Sequence, residues 1–283
     1  MPAWLSGVQA CVATRRWGRN GMRAVIRLLA VFLRVGILNE LQYRTNLYVQ
    51  LFRSTISLGT GLAGLGVVFS HTETLAGWSP PELLAILGVY FVVSGVLRFA
   101  IQPAMERLME DVRNGTLDYI LTKPEDSLVL VSVRAVEVWR LADVALGSVV
   151  IGAAVTQMHD RIGTWQVAGF VIAVLAAVTT VYSFLLILTT LSFWFVRLEN
   201  ILVIFQSMYE AGKWPVDIYP AWLRGALTFL VPVAFATTVP AQALAGRLTP
   251  VGLGGAVALS ASLFIAARFF WSVGLRRYSG ASA

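Results

Sequence analysis

Residues 162–196 read IGTWQVAGFVIAVLAAVTTVYSFLLILTTLSFWFV, 35 consecutive positions without Asp, Glu, Lys or Arg. A helix rises 1.5 Å per residue, so about 20 apolar residues cross the hydrocarbon core of a bilayer. The run is therefore long enough for one crossing helix and a turn beyond it. Four other apolar stretches of similar character surround it. Composition agrees: 57% of the 283 residues are hydrophobic, 13% are charged and the mean hydropathy is +0.73. That apolar excess is too large for one water-soluble core, and it makes lipid the solvent of this chain.

Working outward from this run, the fourth span lies between Trp165 and Trp194, with a tight turn at residues 197–200. Before it come a first span from Leu47 to Phe69, a second opened by Pro80 and Pro81 and running from Glu82 to about Ile101, and a third from Leu128 to Thr156. After it come a short fifth span from Glu199 to about Gly212 and a sixth from Val251 to Val273. In the first span, Gly59, Gly61, Ala63, Gly64 and Gly66 form a small-residue packing surface, because close helix approach replaces the hydrophobic drive that lipid does not supply.

Two segments fit no simple span. Residues 213–250 are apolar but carry Pro215, Pro220, Pro232, Pro240 and Pro250. Proline at that density breaks a lipid-facing helix, and broken backbone survives at membrane depth only where protein or a wet cavity covers it. The expectation is a pair of re-entrant outer helices between spans five and six, with Tyr219 beside Pro220 at their entry. At the other end of the chain, Arg23, Arg27 and Arg34 share one helical face while Ile26, Leu29, Phe32 and Leu33 lie elsewhere. This predicts an N-terminal amphipathic interfacial helix rather than a cleaved leader.

The fold class expected is all-α integral membrane with six transmembrane helices. Residues 1–46 form a cytoplasmic tail and connector helix, and residues 47–283 the transmembrane domain. With both termini cytoplasmic, 18 of the 22 Lys and Arg residues fall on the inner side or its edge. Only Arg161, Lys213, Arg224 and Arg247 fall outside, so the positive-inside rule favours this threading. The net charge of +7 is then membrane orientation, not a nucleic-acid surface.

Chemistry is sparse. No phosphate-binding loop is present, since Gly212 and Lys213 are not followed by Ser or Thr. His71 and His159 lie in different outer loops, Cys11 is the only cysteine, and no metal site or nucleophile elbow is expected. Arg134, Glu137, Arg140 and Asp143 recur every three positions with alternating sign. They read either as the lining of a path or gate at the cytoplasmic mouth or as a static ion-pair ladder.

The longest cytoplasmic connection, residues 104–127, is organised. Glu106 to Arg113 suit a polar helix stopped by Asn114 and Gly115, and Thr116 to Thr122 a second short helix stopped by Lys123 and Pro124. Leu117, Tyr119, Ile120 and Leu121 on it read as a docking surface for a soluble partner or as side chains folded back onto the protein's own helix ends.

The basic amphipathic N-terminal helix, the loop RNGTLDYILTKP (residues 113–124) and the segment GKWPVDIYPAWLRGALTFLVPVAFATTVPA (residues 212–241) resemble the membrane subunits of type-2 ATP-binding-cassette (ABC) exporters, in particular a bacterial branch encoded with a second permease and a separate ATPase. The resemblance implies a non-catalytic permease forming half of a translocation path in the bacterial plasma membrane. It also implies two copies of an ABC ATPase carrying the ATP and Mg, no cofactor on this chain, and a second permease, a different homologous chain in preference to a homodimer. Gly115, Leu117, Asp118, Tyr119, Leu121 and Pro124 match the family's ATPase-coupling segment. Substrates in related systems are lipidic, glycan-linked, peptidic or hydrophobic drug-like molecules, and the resemblance implies a lipophilic, amphiphilic or drug-like one here.

The competing reading is a proton-coupled carrier using Glu137, Asp143 or Glu199, and behind it an integral-membrane enzyme. The first is weakened because none of those carboxylates lies at mid-span, where coupling sites are expected.

Overall fold

The computed structural model describes residues 44–123, 126–158, 162–195 and 200–278. The expected amphipathic helix bearing Arg23, Arg27 and Arg34 lies outside these residues, as do Pro124 and Glu199. The described chain is built of helices, with no strand beyond one isolated bridge between Leu75 and Trp78.

Helix α1 (Arg44–Phe69) leads into the loop before α2 (Pro80–Val96). Ser79 and Glu82 form a reciprocal capping box at the start of α2, and Pro80 occupies the first turn, where its missing N–H costs nothing. A π-helical turn, Leu97–Ile101, joins α2 to α3 (Gln102–Asn114) without a break, so span and polar helix form one rod from Pro80 to Asn114. The π-turn has a sequence cause. In an α-helix Pro103 would press its ring against the Phe99 carbonyl and give it no N–H; widening the turn relieves the clash.

Beyond α3, a short α4 (Asp118–Leu121) is followed by α5 (Ser127–Val133), a 3-10 turn at Val138–Arg140, and α6 (Leu141–Gln157). The third span is therefore not one helix from Leu128 to Thr156: the backbone leaves helical geometry between Arg134 and Glu137. Helix α7 (Thr164–Thr190) is followed by a 3-10 turn, Leu191–Phe193, and then by α8 (Ile201–Tyr209), itself continued by a 3-10 turn at Glu210–Lys213. The proline-rich segment holds a 3-10 turn at Val216–Ile218, α9 (Ala221–Gly225), a second π-turn (Ala226–Leu230) and α10 (Val233–Leu244). Helix α11 (Pro250–Arg277) closes the described chain.

Among the described residues five helices are long and apolar enough to cross a membrane; α8, at nine residues, is not one of them. The proline-rich segment turns by 91° between its two arms. Both of its ends reach the Pro80 end of the α2 rod: the Trp78 indole N–H donates to Asp217 at 3.4 Å, and Arg247 clasps Glu82. A chain that leaves and returns to one end of the same helix has dipped and come back, which is the re-entrant arrangement expected. Pro220 caps α9, Pro232 caps α10 at the bend, and Pro240 is buried within α10.

The tightest helix contact is between α2 and α6. A Cβ on Gly147 would sit 2.7 Å from the Gly88 carbonyl oxygen and the Val92 nitrogen, and one on Gly95 2.6 Å from Val144. Backbones touch there because no side chain intervenes. The α1 glycines differ from expectation: Gly61 and Gly64 meet Leu87 and Trp214, but Gly59 and Gly66 face open space. Helix α1 is barely covered, with Phe52 and Val67 exposed, whereas α10 is buried against α7 and α2.

Candidate functional site

The turn after α3 begins with the backbone. Gly115 adopts φ +69°, the left-handed region that favours glycine, and the Thr116 N–H returns to the Asp111 carbonyl at 2.9 Å while the Gly115 N–H returns to Val112 at 3.4 Å. This reciprocal pair ends α3 where Asn114 and Gly115 predict it.

Asp111 then fastens the segment beyond the turn. Its carboxylate accepts the Thr116 hydroxyl at 2.8 Å and forms an ion pair with Arg134, at the end of α5. Only 5% of the Asp111 side chain and 16% of the Arg134 side chain are exposed, so the pair ties the rod to α5 out of water. On the other side of α5, Asp126 caps the helix through the Leu128 N–H at 2.9 Å and meets Arg268 of α11 at 2.7 Å. Ser132 and the Tyr182 hydroxyl of α7 are 2.7 Å apart. Where α7 and α11 meet, Phe193 lies edge-on to both Trp271 and Tyr278.

Within this frame the loop residues divide by direction. Leu117 is fully buried and Ile120 nearly so, both in the chain's own core, and Leu121 is half-buried. Tyr119 is 76% exposed, with Thr122 and Lys123 exposed beside it and Asp118 half-buried. Leu117 therefore anchors the loop and presents nothing to a partner; the outward-facing aromatic is Tyr119.

The charged stripe is not one helical face. Arg134 turns to Asp111, and Glu137 and Arg140 pair at 3.2 Å. Asp143 is buried in the first turn of α6, its Cβ beside the position a Gly95 Cβ would fill. The Glu137 N–H donates to the Phe99 carbonyl at 2.7 Å, using the acceptor that Pro103 frees. Arg134 and Glu137 thus splice the break before α6 to the α2–α3 rod, and of the alternating ladder only the Glu137–Arg140 pair is formed.

At the Pro80 end, Arg247 donates to both Glu82 oxygens, at 2.9 and 2.6 Å, and to the Gly77 carbonyl at 2.8 Å. Its guanidinium stacks 4.9 Å over Trp78. Arg224 lies 3.9 Å from Asp217, and the Tyr219 hydroxyl donates to the Ala211 carbonyl at 3.1 Å. Pro215 is buried and starts the 3-10 turn before Tyr219. Sequence reasoning gave Glu82 no role; the Ser-Pro-Pro-Glu capping pattern at 79–82 was its available signal. Among the described residues no cluster of His, Cys, Asp and Glu could hold a metal ion.

A family model described as ABC-2 family transporter protein matches residues 55–282. The chain belongs to the ABC-2 transporter family. It is a type-2 ABC permease, a multi-pass membrane protein of a family that transports in association with an ABC ATPase. The match takes in the rod, the loop, the splice and the re-entrant pair of this ABC-2 permease. No curated protein and no solved structure matches the chain.

Proposed function

We propose that this permease is half of an ATP-driven exporter of the bacterial plasma membrane, with both termini in the cytoplasm, and that the loop carrying Tyr119 is where a separate ATPase delivers its work. ATP and Mg would reside on that partner, present in two copies. The observation that carries the reading is the continuity of the rod: Tyr119 stands exposed on a loop locked to a helix that runs unbroken from Asn114 to Pro80. A push on the loop is transmitted along that rod and, through Asp111–Arg134 and Asp126–Arg268, to α5 and α11. A conformational change can be driven only by binding that differs between states, and ATP-dependent closure of the ATPases supplies that difference.

A second permease is supported by α1, whose Gly59 and Gly66 have nothing against them. Small-residue faces of this kind seat a neighbouring helix. A different homologous chain is the partner favoured over a second copy, and a lipophilic, amphiphilic or drug-like molecule is the cargo.

Tagged full-length chain extracted from its native membrane tests this by mass-spectrometric inventory. An ABC ATPase and a second permease in fixed proportion are expected; a chain that purifies without any ATPase contradicts the proposal. Impermeant thiol reagent should label a cysteine at Trp222 from outside the cell and spare one at Tyr119, and the reverse pattern would overturn the orientation.

A further inference from the structure

The 3-10 turn that continues α8 carries an ion pair deep in the membrane. Lys213 Nζ lies 3.5 Å from a Glu210 carboxylate oxygen and 5.4 Å over the centre of the Tyr90 ring. Tyr90 stands ten residues into the rod from Pro80, about 15 Å along the helix and half of a hydrocarbon core of about 30 Å. The re-entrant segment gives the same depth. A Cβ on Gly212 would lie 2.8 Å from Val233, at the bend end of α10, while beyond the other end of α10 Arg247 clasps Glu82. The twelve residues of α10 separate those two levels by about 18 Å.

The pair is open on one side. Lys213 is drawn back over Tyr90 and its side chain is only 24% exposed, whereas the Glu210 side chain is 57% exposed. One turn closer to the start of α8, Ser207 is exposed on the same face, its hydroxyl donating to the Val203 carbonyl at 3.0 Å. The exposed face of α11 differs. That helix carries no charged residue from Pro250 to Ala267, and Val257, Leu259 and Ile265 are exposed along it, as suits contact with lipid. Charged side chains at membrane depth face a bundle interior or a water-filled cavity. Among the described residues nothing but Lys213 pairs with Glu210, and the charge left facing outward is the carboxylate.

We propose that the Ser207–Glu210 face of α8 stands in water near the middle of the membrane and that Glu210 selects cationic over anionic solutes there. An ammonium or guanidinium group of the cargo replaces Lys213 as its counter-ion. The inference deepens the transport reading and rests on it for the passage of the cargo. Hydration and charge preference need no ATP and are measured without turnover.

The test places single cysteines in full-length Cys11→Ser chain, in sonicated native membranes open to both faces. Two methanethiosulfonates of similar size are the probes, one bearing trimethylammonium and one sulfonate, each rate being divided by that of the same reagent with free mercaptoethanol. Ser207→Cys should react about a hundredfold faster than Ile265→Cys, which is exposed at similar depth on α11, because only a hydrated thiol ionises to the reactive thiolate. At Ser207→Cys the cationic reagent should be favoured about fivefold by the carboxylate one turn away. Adding Glu210→Gln should abolish that preference, Glu210→Asp should keep it, and Lys213→Gln should enlarge it. A Ser207→Cys as slow as Ile265→Cys means lipid or another chain covers the face, and overturns the proposal. Fast reaction without charge preference, or a preference unchanged in Glu210→Gln or lost in Glu210→Asp, overturns the role of Glu210. Any of these failures in a chain that still copurifies with its ATPase leaves the transport reading standing; a wet, cation-favouring face on a chain without an ATPase rejects that reading instead.

Discussion

The Glu137 backbone N–H donates to the Phe99 carbonyl at 2.7 Å, joining the π-turn of one span to the break in the next. Each irregularity satisfies the other. Pro103 leaves Phe99 without its helical donor, and the interrupted third span supplies one. Replacing Pro103 with Ala restores an N–H at 103 and lets the helix close on Phe99. The Glu137 amide should then exchange its hydrogen about fivefold faster, the loss of one net hydrogen bond of about 1 kcal/mol. Unchanged protection at Glu137 would show that the two irregularities are independent.

The Asp111–Arg134 pair is the second fastening of the splice. Asp111→Ala leaves a mostly buried guanidinium without its counter-charge and should cost about 3–5 kcal/mol, whereas Asp111→Leu with Arg134→Met should recover most of that stability. Thermal unfolding of the two variants checks this. A double variant no more stable than Asp111→Ala would mean the pair contributes more than charge neutralisation.

Arg247→Ala unclasps the re-entrant segment by stranding Glu82, which is buried while Arg247 is 40% exposed. The partial exposure puts the expected cost at about 2–3 kcal/mol, below that of a fully buried pair. Limited proteolysis should cut within residues 213–250 sooner than in wild type. Equal cutting would place the fastening elsewhere, for instance on Trp78 and Asp217.

The long spans were legible because nothing but a bilayer explains 35 uncharged positions in a row, and the re-entrant pair because proline has few places to go at that depth. The Gly115 stop and the short helix after it were legible for local reasons too. What escaped depends on partners distant in sequence. Arg134, Glu137, Arg140 and Asp143 have helical spacing, yet Asp111 and the Phe99 carbonyl outbid that pattern for Arg134 and Glu137. The Gln-Pro step at 102–103 was the available hint of a disturbed helix. The glycine-rich face of α1 drew attention from Gly88, Gly95 and Gly147, whose importance appears only once α2 and α6 lie against each other. For Leu117 the sequence left docking and folding back onto the protein's own helix ends both open, because burial by one's own core is invisible in a heptapeptide.

The central claim is that force enters through the loop, and a photo-crosslinking residue placed at Tyr119 of the full-length chain, irradiated in native membranes, tests it most directly. The account predicts a crosslink to an ABC ATPase. Crosslinks confined to lipid or to the chain itself, in a preparation from which that ATPase still copurifies, would contradict it.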